Sequence, residues 1–235
     1  TKWQTRRKML TPSFHFKILE DFVKTFNEQS NILVDILREE FKDRQAKNIC
    51  RYITRCALDI VGETAMDIKF DSQTKEDTPY VKAINKACEV VQFKAIRPWH
   101  WIYFISRLTP VGFQFNAALK TIHNFTDQVI KDRKSESSKH NEANTGVDEI
   151  YWNGKRKLAF LDLLLEAQKN PENNLSDLDL REEVNTFLFE GHDTVSASLG
   201  WTTFLLASYP ECQEKVHEEL DRIFGDDRTR FITTK

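Results

Sequence analysis

Apolar residues recur at three- and four-residue intervals along most of this chain and mark out a succession of helices. Phe22, Val23, Phe26, Ile32, Leu33, Ile36 and Leu37 keep helical offsets up to a mixed-charge run at Arg38 to Arg44, which predicts two helices there. Ile53, Ala57, Ile60, Val61 and Thr64 repeat through Ile49 to Met66, and Ile84, Ala87, Val90 and Val91 through Tyr80 to Ile96. Each predicts a core-facing helix. Arg97 to Pro110 breaks the pattern, because its prolines interrupt helices and Trp99, Trp101, Tyr103 and Phe104 crowd together without a period. A helix resumes over Phe113 to Arg133. Residues 134–157 are polar and nearly without apolar spacing, which predicts an exposed connector. Leu158, Leu161, Leu164 and Leu165 then predict a short helix that Pro171 and the Asn173-Asn174 pair end.

The longest element follows. Ser176 with Asp179 three residues on predicts a capping box, and the helical pattern continues from Asp177 to Tyr209, about 50 Å at 1.5 Å per residue. A helix of that length crosses a whole domain. Pro210 suits the first turn of a last helix, with Val216, Leu220, Ile223 and Phe224 on one face and Gly225 as its stop. The fold class this predicts is all-α, and the composition agrees: only seven Gly and six Pro leave too few turns for a sandwich of short strands. No apolar run approaches the ~20 residues a membrane span needs. A net charge of −2 and the lack of zinc spacing or basic-aromatic interleaving argue against nucleic acid as a partner. Cys50, Cys56, Cys88 and Cys212 form no CxxC pair and lie within helical patterns, where buried, inert thiols are expected.

The candidate chemistry sits in the middle of the long helix. Glu190-Gly191-His192-Asp193-Thr194 interrupts an apolar stretch with polar residues and a glycine that costs about 1 kcal/mol relative to Ala. Thr194 stands four residues after Glu190, so its hydroxyl can reach the Glu190 carbonyl. The missing Cβ of Gly191 allows the backbone to widen or a flat ligand to approach. A carboxylate and a hydroxyl held together suit proton delivery. The other reading takes Glu190, His192 and Asp193 as a plain solvated face and Gly191 as a packing accident. Metal ligation by these three is disfavoured, since successive helical positions point about 100° apart.

The stretch Glu183-Val184-Asn185-Thr186-Phe187-Leu188-Phe189-Glu190-Gly191-His192-Asp193-Thr194 resembles the central helix of cytochrome P450 family 4. Trp3-Gln4-Thr5-Arg6-Arg7-Lys8 looks like the Trp-x-x-x-Arg helix of the same family, and Tyr209-Pro210-Glu211 with Glu218 to Asp227 looks like the helix that follows the central one. The resemblance implies a haem-thiolate monooxygenase that inserts one oxygen atom into a lipophilic substrate such as a fatty acid. It implies that Trp3 and Arg7 bind the propionates of haem b, that Asp193 and Thr194 form the acid-alcohol pair handing protons to dioxygen, and that Gly191 gives dioxygen room. Glu190 matches the carboxylate that forms an ester with a haem methyl in many members. The implied partners are NADPH-cytochrome P450 reductase, which the basic cluster Lys2, Arg6, Arg7, Lys8 and Lys17 would face, and the endoplasmic reticulum membrane at its cytosolic face. Trp99, Trp101, Ile102, Tyr103 and Phe104 suit either a channel lip at that membrane or core packing.

The chain departs from the family pattern at Val195, where members usually carry Thr, and at Asn185, where they usually carry Asp. Both put substrate class in doubt. No cysteine has the setting of the family's iron-ligand loop, and Glu219-Leu220-Asp221-Arg222 matches the letters of a later family motif in the wrong helix. The expectation is therefore that residues 1–235 are one partial domain, a central fragment inactive alone and without a membrane anchor. The competing expectation is a truncated, haem-free helical binding or scaffold domain.

Overall fold

The computed structural model describes all residues except 1, 15, 76–77, 103–107, 141–159, 228–229 and 234–235. Among the described residues there are helices and turns and no strand. The α-helices among the described residues are, in order, α1 Lys2–Leu10, α2 Phe16–Glu40, α3 Cys50–Val61, α4 Pro79–Ala95, α5 Pro110–His140, α6 Phe160–Lys169, α7 Asp177–Ser208 and α8 Pro210–Phe224. None is long and apolar enough to cross a membrane. The chain divides into two units, residues 1–73 with 190–235, and residues 74–189.

In the first unit the core is built on α3, whose Tyr52, Ile53, Cys56, Ala57 and Leu58 are buried together with Met66 and Phe70. The segment 22–44 is one helix followed by a turn, and not the two helices its charge run suggests. The reason is local: Arg38 with Asp35 and Lys42 with Glu39 are ion pairs at 2.6 Å and three-residue spacing, which suit a helix or its last turn. The helical path of α3 loosens into one π-type turn at Gly62–Met66 before Asp67 turns left-handed at φ 56°. A Cβ on Gly62 would lie 2.3 Å from the Phe70 ring, so only glycine admits that ring over the turn. Buried Asp59 accepts from the Ser72 and Gln73 amides at 2.8 and 3.0 Å and so ties the following loop to α3. Gln73 Nε2 donates to Gln29 Oε1 of α2 at 2.8 Å, and Gln29 Nε2 donates to Glu63 Oε1 at 3.0 Å. Asn27 of α2 holds the backbone of Ile232 by two hydrogen bonds of 2.9 and 3.0 Å.

In the second unit, buried Tyr80, Val81, Ala83, Ile84 and Val90 of α4 share a core with Ala118, Ile122, Val129 and Ile130 of α5. Phe160, Leu161, Leu163, Leu164 and Leu165 of α6, and Leu180, Val184 and Leu188 of α7, are buried as well. The α5 helix starts earlier and ends later than the periodicity indicates, so residues 134–140 of the expected connector are helical. Residues 141–157 of that connector lie outside the described residues, as do Tyr103 and Phe104. Between α4 and α5, Pro98–Trp101 forms a tight turn on which Trp99 is exposed. Arg133 of α5 and Asp162 of α6 meet in a two-pronged ion pair of 2.6 and 2.7 Å. The capping box is present in both directions: Asp179 N donates to Ser176 Oγ at 3.2 Å and Ser176 N to Asp179 Oδ2 at 2.9 Å.

Candidate functional site

Every residue singled out for chemistry lies in the first unit. On α1, Trp3 and Arg7 are one helical turn apart, and the Arg7 guanidinium carbon sits 5.2 Å from the centre of the Trp3 ring. Both are exposed, Trp3 to 66%. Thr11 Oγ1 donates to the Arg7 carbonyl at 2.8 Å and so occupies one of the free acceptors at the end of α1. An indole N–H and a guanidinium are donors without an acceptor of their own, so side by side they present a ready site for carboxylates. The helix carries no acid, and Lys2 and Lys8 are exposed with Arg7.

On α7, Glu190, Asp193 and Thr194 are exposed at positions i, i+3 and i+4 and so occupy one face. Thr194 Oγ1 donates to the Glu190 carbonyl at 2.7 Å, as its spacing predicts. Ser196 Oγ donates to the Asp193 carbonyl at 3.0 Å. His192 is not part of the solvated face: it is 3% exposed, and Ser196, one turn on, is buried too. The five-residue polar stretch is therefore divided, with a carboxylate-hydroxyl face outward and an imidazole inward.

Gly191 has a different neighbour from the one its letter suggests. The helix shows no widening at this point. A Cβ here would lie 2.9 Å from Cγ2 and 3.2 Å from Cγ1 of Val61, the last residue of α3. Gly200 lies against α3 in the same way, with its absent Cβ 2.9 Å from Cys50 Sγ. Sequence reasoning singled out Gly191 and missed its partner, and it passed over Gly200. Two glycines inside one helix were the available signal, but the partners lie more than a hundred residues away along the chain.

The carboxyls on the other side of Val61 are perturbed by their surroundings. Burial raises Asp59 above the usual carboxylate range against the pull of its two amide donors, and burial raises Glu63 likewise. Cys56 is a buried thiol pushed up to about 11, first by desolvation and then by Asp59, so it stays protonated and inert as expected. Cys50 and Cys212 are exposed, contrary to the expectation of buried thiols. Helix α8 buries none of its residues, so Cys212 has no core to enter. Asn185 belongs to the second unit, where it accepts from Thr126 Oγ1 at 2.6 Å.

The family described as Cytochrome P450 matches residues 1–234. Cytochrome P450 4c3 of Drosophila melanogaster is 45% identical over 242 residues, covering 100% of this chain and 44% of that protein. Cytochrome P450 4V2 of Homo sapiens is 43% identical, covering 95% of this chain and 42% of that protein. The chain thus spans less than half the length of these curated relatives. Among solved structures, the cytochrome P450DA heme domain superposes with a TM-score of 0.71 over 95% of this chain and 44% of that one. Its sequence identity of 23% speaks to the fold alone.

Proposed function

Because this chain belongs to the cytochrome P450 family, with family 4 relatives along its length, we propose that the protein carrying it is a haem-thiolate monooxygenase. It inserts one oxygen atom from dioxygen into a lipophilic substrate such as a fatty acid. The observation that carries this reading is the outward face of α7, where Glu190, Asp193 and Thr194 stand together with the Thr194 hydroxyl already anchored.

The donors on α1 fit the group. Trp3 and Arg7 would hold the haem carboxylates, Arg7 by charge-assisted hydrogen bonds. Haem, when bound, supplies the oxidising chemistry, and the protein's part is binding, shape and protons. The iron's thiolate has to come from outside these residues, because Cys56 is held protonated and the remaining cysteines are not set in a ligand loop. Thr194 keeps its hydrogen on the Glu190 carbonyl, so its oxygen turns lone pairs outward and accepts a proton or a hydrogen bond from the substrate side. To donate instead it must release that bond, and the exposed carboxyl of Asp193 on the adjoining position refills the proton. Glu190 directs a free carboxylate from the same face, the group an ester to a haem methyl requires. The acid-free α1 surface suits an acidic electron donor such as NADPH-cytochrome P450 reductase. Exposed Trp99 and Ile102 suit the cytosolic face of the endoplasmic reticulum membrane.

The test is to express the protein with a reductase, supply NADPH and a long-chain fatty acid under isotopically labelled dioxygen, and analyse the product by mass spectrometry. One labelled oxygen per hydroxylated product is expected, and Thr194→Ala should lower product formed per NADPH by on the order of a hundredfold. A parent protein that purifies without haem absorbance supports the haem-free scaffold instead and refutes the proposal. Denaturing extraction decides the ester: haem stays with the parent and is released from Glu190→Ala.

A further inference from the structure

The close approach at Gly191 bears on how the outward face of α7 is held. Val61 is β-branched, and in a helix its side chain is nearly confined to one rotamer, so its two methyls cannot swing away from an added Cβ. Its backbone is fixed as well. One residue on, Gly62 lies beneath the Phe70 ring, and two residues before, Asp59 is clamped by the Ser72 and Gln73 amides. Gly200 against Cys50 gives α3 a second seat on the same helix. Glu190 and Thr194 flank the first seat, and the bond between them spans Gly191.

We propose that Val61 is a positioning residue for the reaction, acting through Gly191 to fix where α7 holds Glu190, Asp193 and Thr194. This rests on the monooxygenase reading above. In this view the glycine answers to the α3 side chain behind it. Substrate contacts are left untouched when Val61 changes, while the placement of the proton-handling face is not.

Two measurements on the haem-loaded protein test it. In the first, the melting temperatures of the parent, Gly191→Ala, Val61→Ala and the double variant are compared. Gly191→Ala alone should lower the melting temperature by on the order of 5 °C through overpacking. In the Val61→Ala background the same change should raise it, since the methyl then has room and Ala is the better helix former. Effects that simply add overturn the contact. In the second, Val61→Ala should lower kcat on the order of tenfold with KM within about twofold, the cost of a slightly misplaced proton donor. Val61→Ile, which keeps a carbon at both γ positions, should keep the parent kcat. A kcat per haem unchanged in Val61→Ala, with the melting temperatures coupled, overturns the positioning role and leaves only packing. A parent with haem but no turnover refutes the monooxygenase reading and the positioning role with it, while the sign reversal in melting still reports the contact.

Discussion

Arg133→Met should be among the most damaging single changes outside the candidate site. The guanidinium of Arg133 meets Asp162 through Nε at 2.6 Å and a terminal nitrogen at 2.7 Å, and the two side chains are only 8% and 11% exposed. Water can therefore replace little of what Arg133 supplies. Removing it leaves an ionised carboxylate in a nearly dry site, a loss of about 3–5 kcal/mol. The carboxylate keeps some compensation, because Asp162 stands in the first turn of α6, where the helix dipole contributes about 0.3–1 kcal/mol. The net expectation is about 3 kcal/mol, or a fall in melting temperature of roughly 6–12 °C for a chain of this size. Arg133→Met with Asp162→Leu removes both charges, fills the space with apolar atoms and should recover most of the loss. The assay is urea unfolding followed by helical circular dichroism on the parent, both single variants and the double. If the single variant loses less than about 1 kcal/mol, or the double loses the sum of the two singles, the pair is not the buried, coupled contact its geometry implies.

Two further outcomes follow from the titrating groups. Native-state alkylation at pH 8 should label Cys50 and Cys212 quickly and leave Cys56 untouched until urea unfolds the chain, as read by peptide mass spectrometry; early labelling of Cys56 would contradict its burial and raised pKa. Burial raises the Asp59 carboxyl, so the folded chain holds that proton more firmly than the unfolded one; the stability it contributes is present below about pH 4 and lost as pH rises through the raised value. Asp59→Asn cannot ionise, so its urea midpoint relative to the parent should climb between pH 4 and 7, and a difference that ignores pH would sink the assignment.

The helices were legible wherever one face is buried and the other wet. Thus α3, α4, α6 and α7 lie within a few residues of the ranges their periodicity predicts, and Pro210 and Gly225 bound α8 as their letters indicate. Periodicity fails where a helical stretch holds too few apolar letters to repeat. The letters of residues 134–140 include no apolar residue, and Lys134 reaches Asp177 at 2.5 Å, so nothing marks this end of α5 as helical by period. The end of α2 is similar: a run of acids and bases reads as a boundary until the three-residue ion pairs show it to be helical surface and its closing turn. Arg133 with Asp162 was beyond any local pattern, since nothing in either helix says which acid the arginine meets.

At the site, the letters of α7 do not give the rotation of the helix about its axis. Leu180, Val184, Leu188, His192, Ser196 and Gly200 are spaced by four, and all six are buried. At 100° per residue each step of four advances about 40°, so this buried line winds through about 200° from Leu180 to Gly200, and no single face carries over from Leu180, Val184 and Leu188 to the candidate residues. Thr194 projects within about 40° of the Leu180 direction, so its exposure beside Glu190 and Asp193 depends on what covers each turn and not on the letters of α7. Nor does this line supply the depth at which the helix sits, because that depends on the side chain facing Gly191. Val61 sets that distance, and its identity becomes visible only when α3 and α7 are brought together.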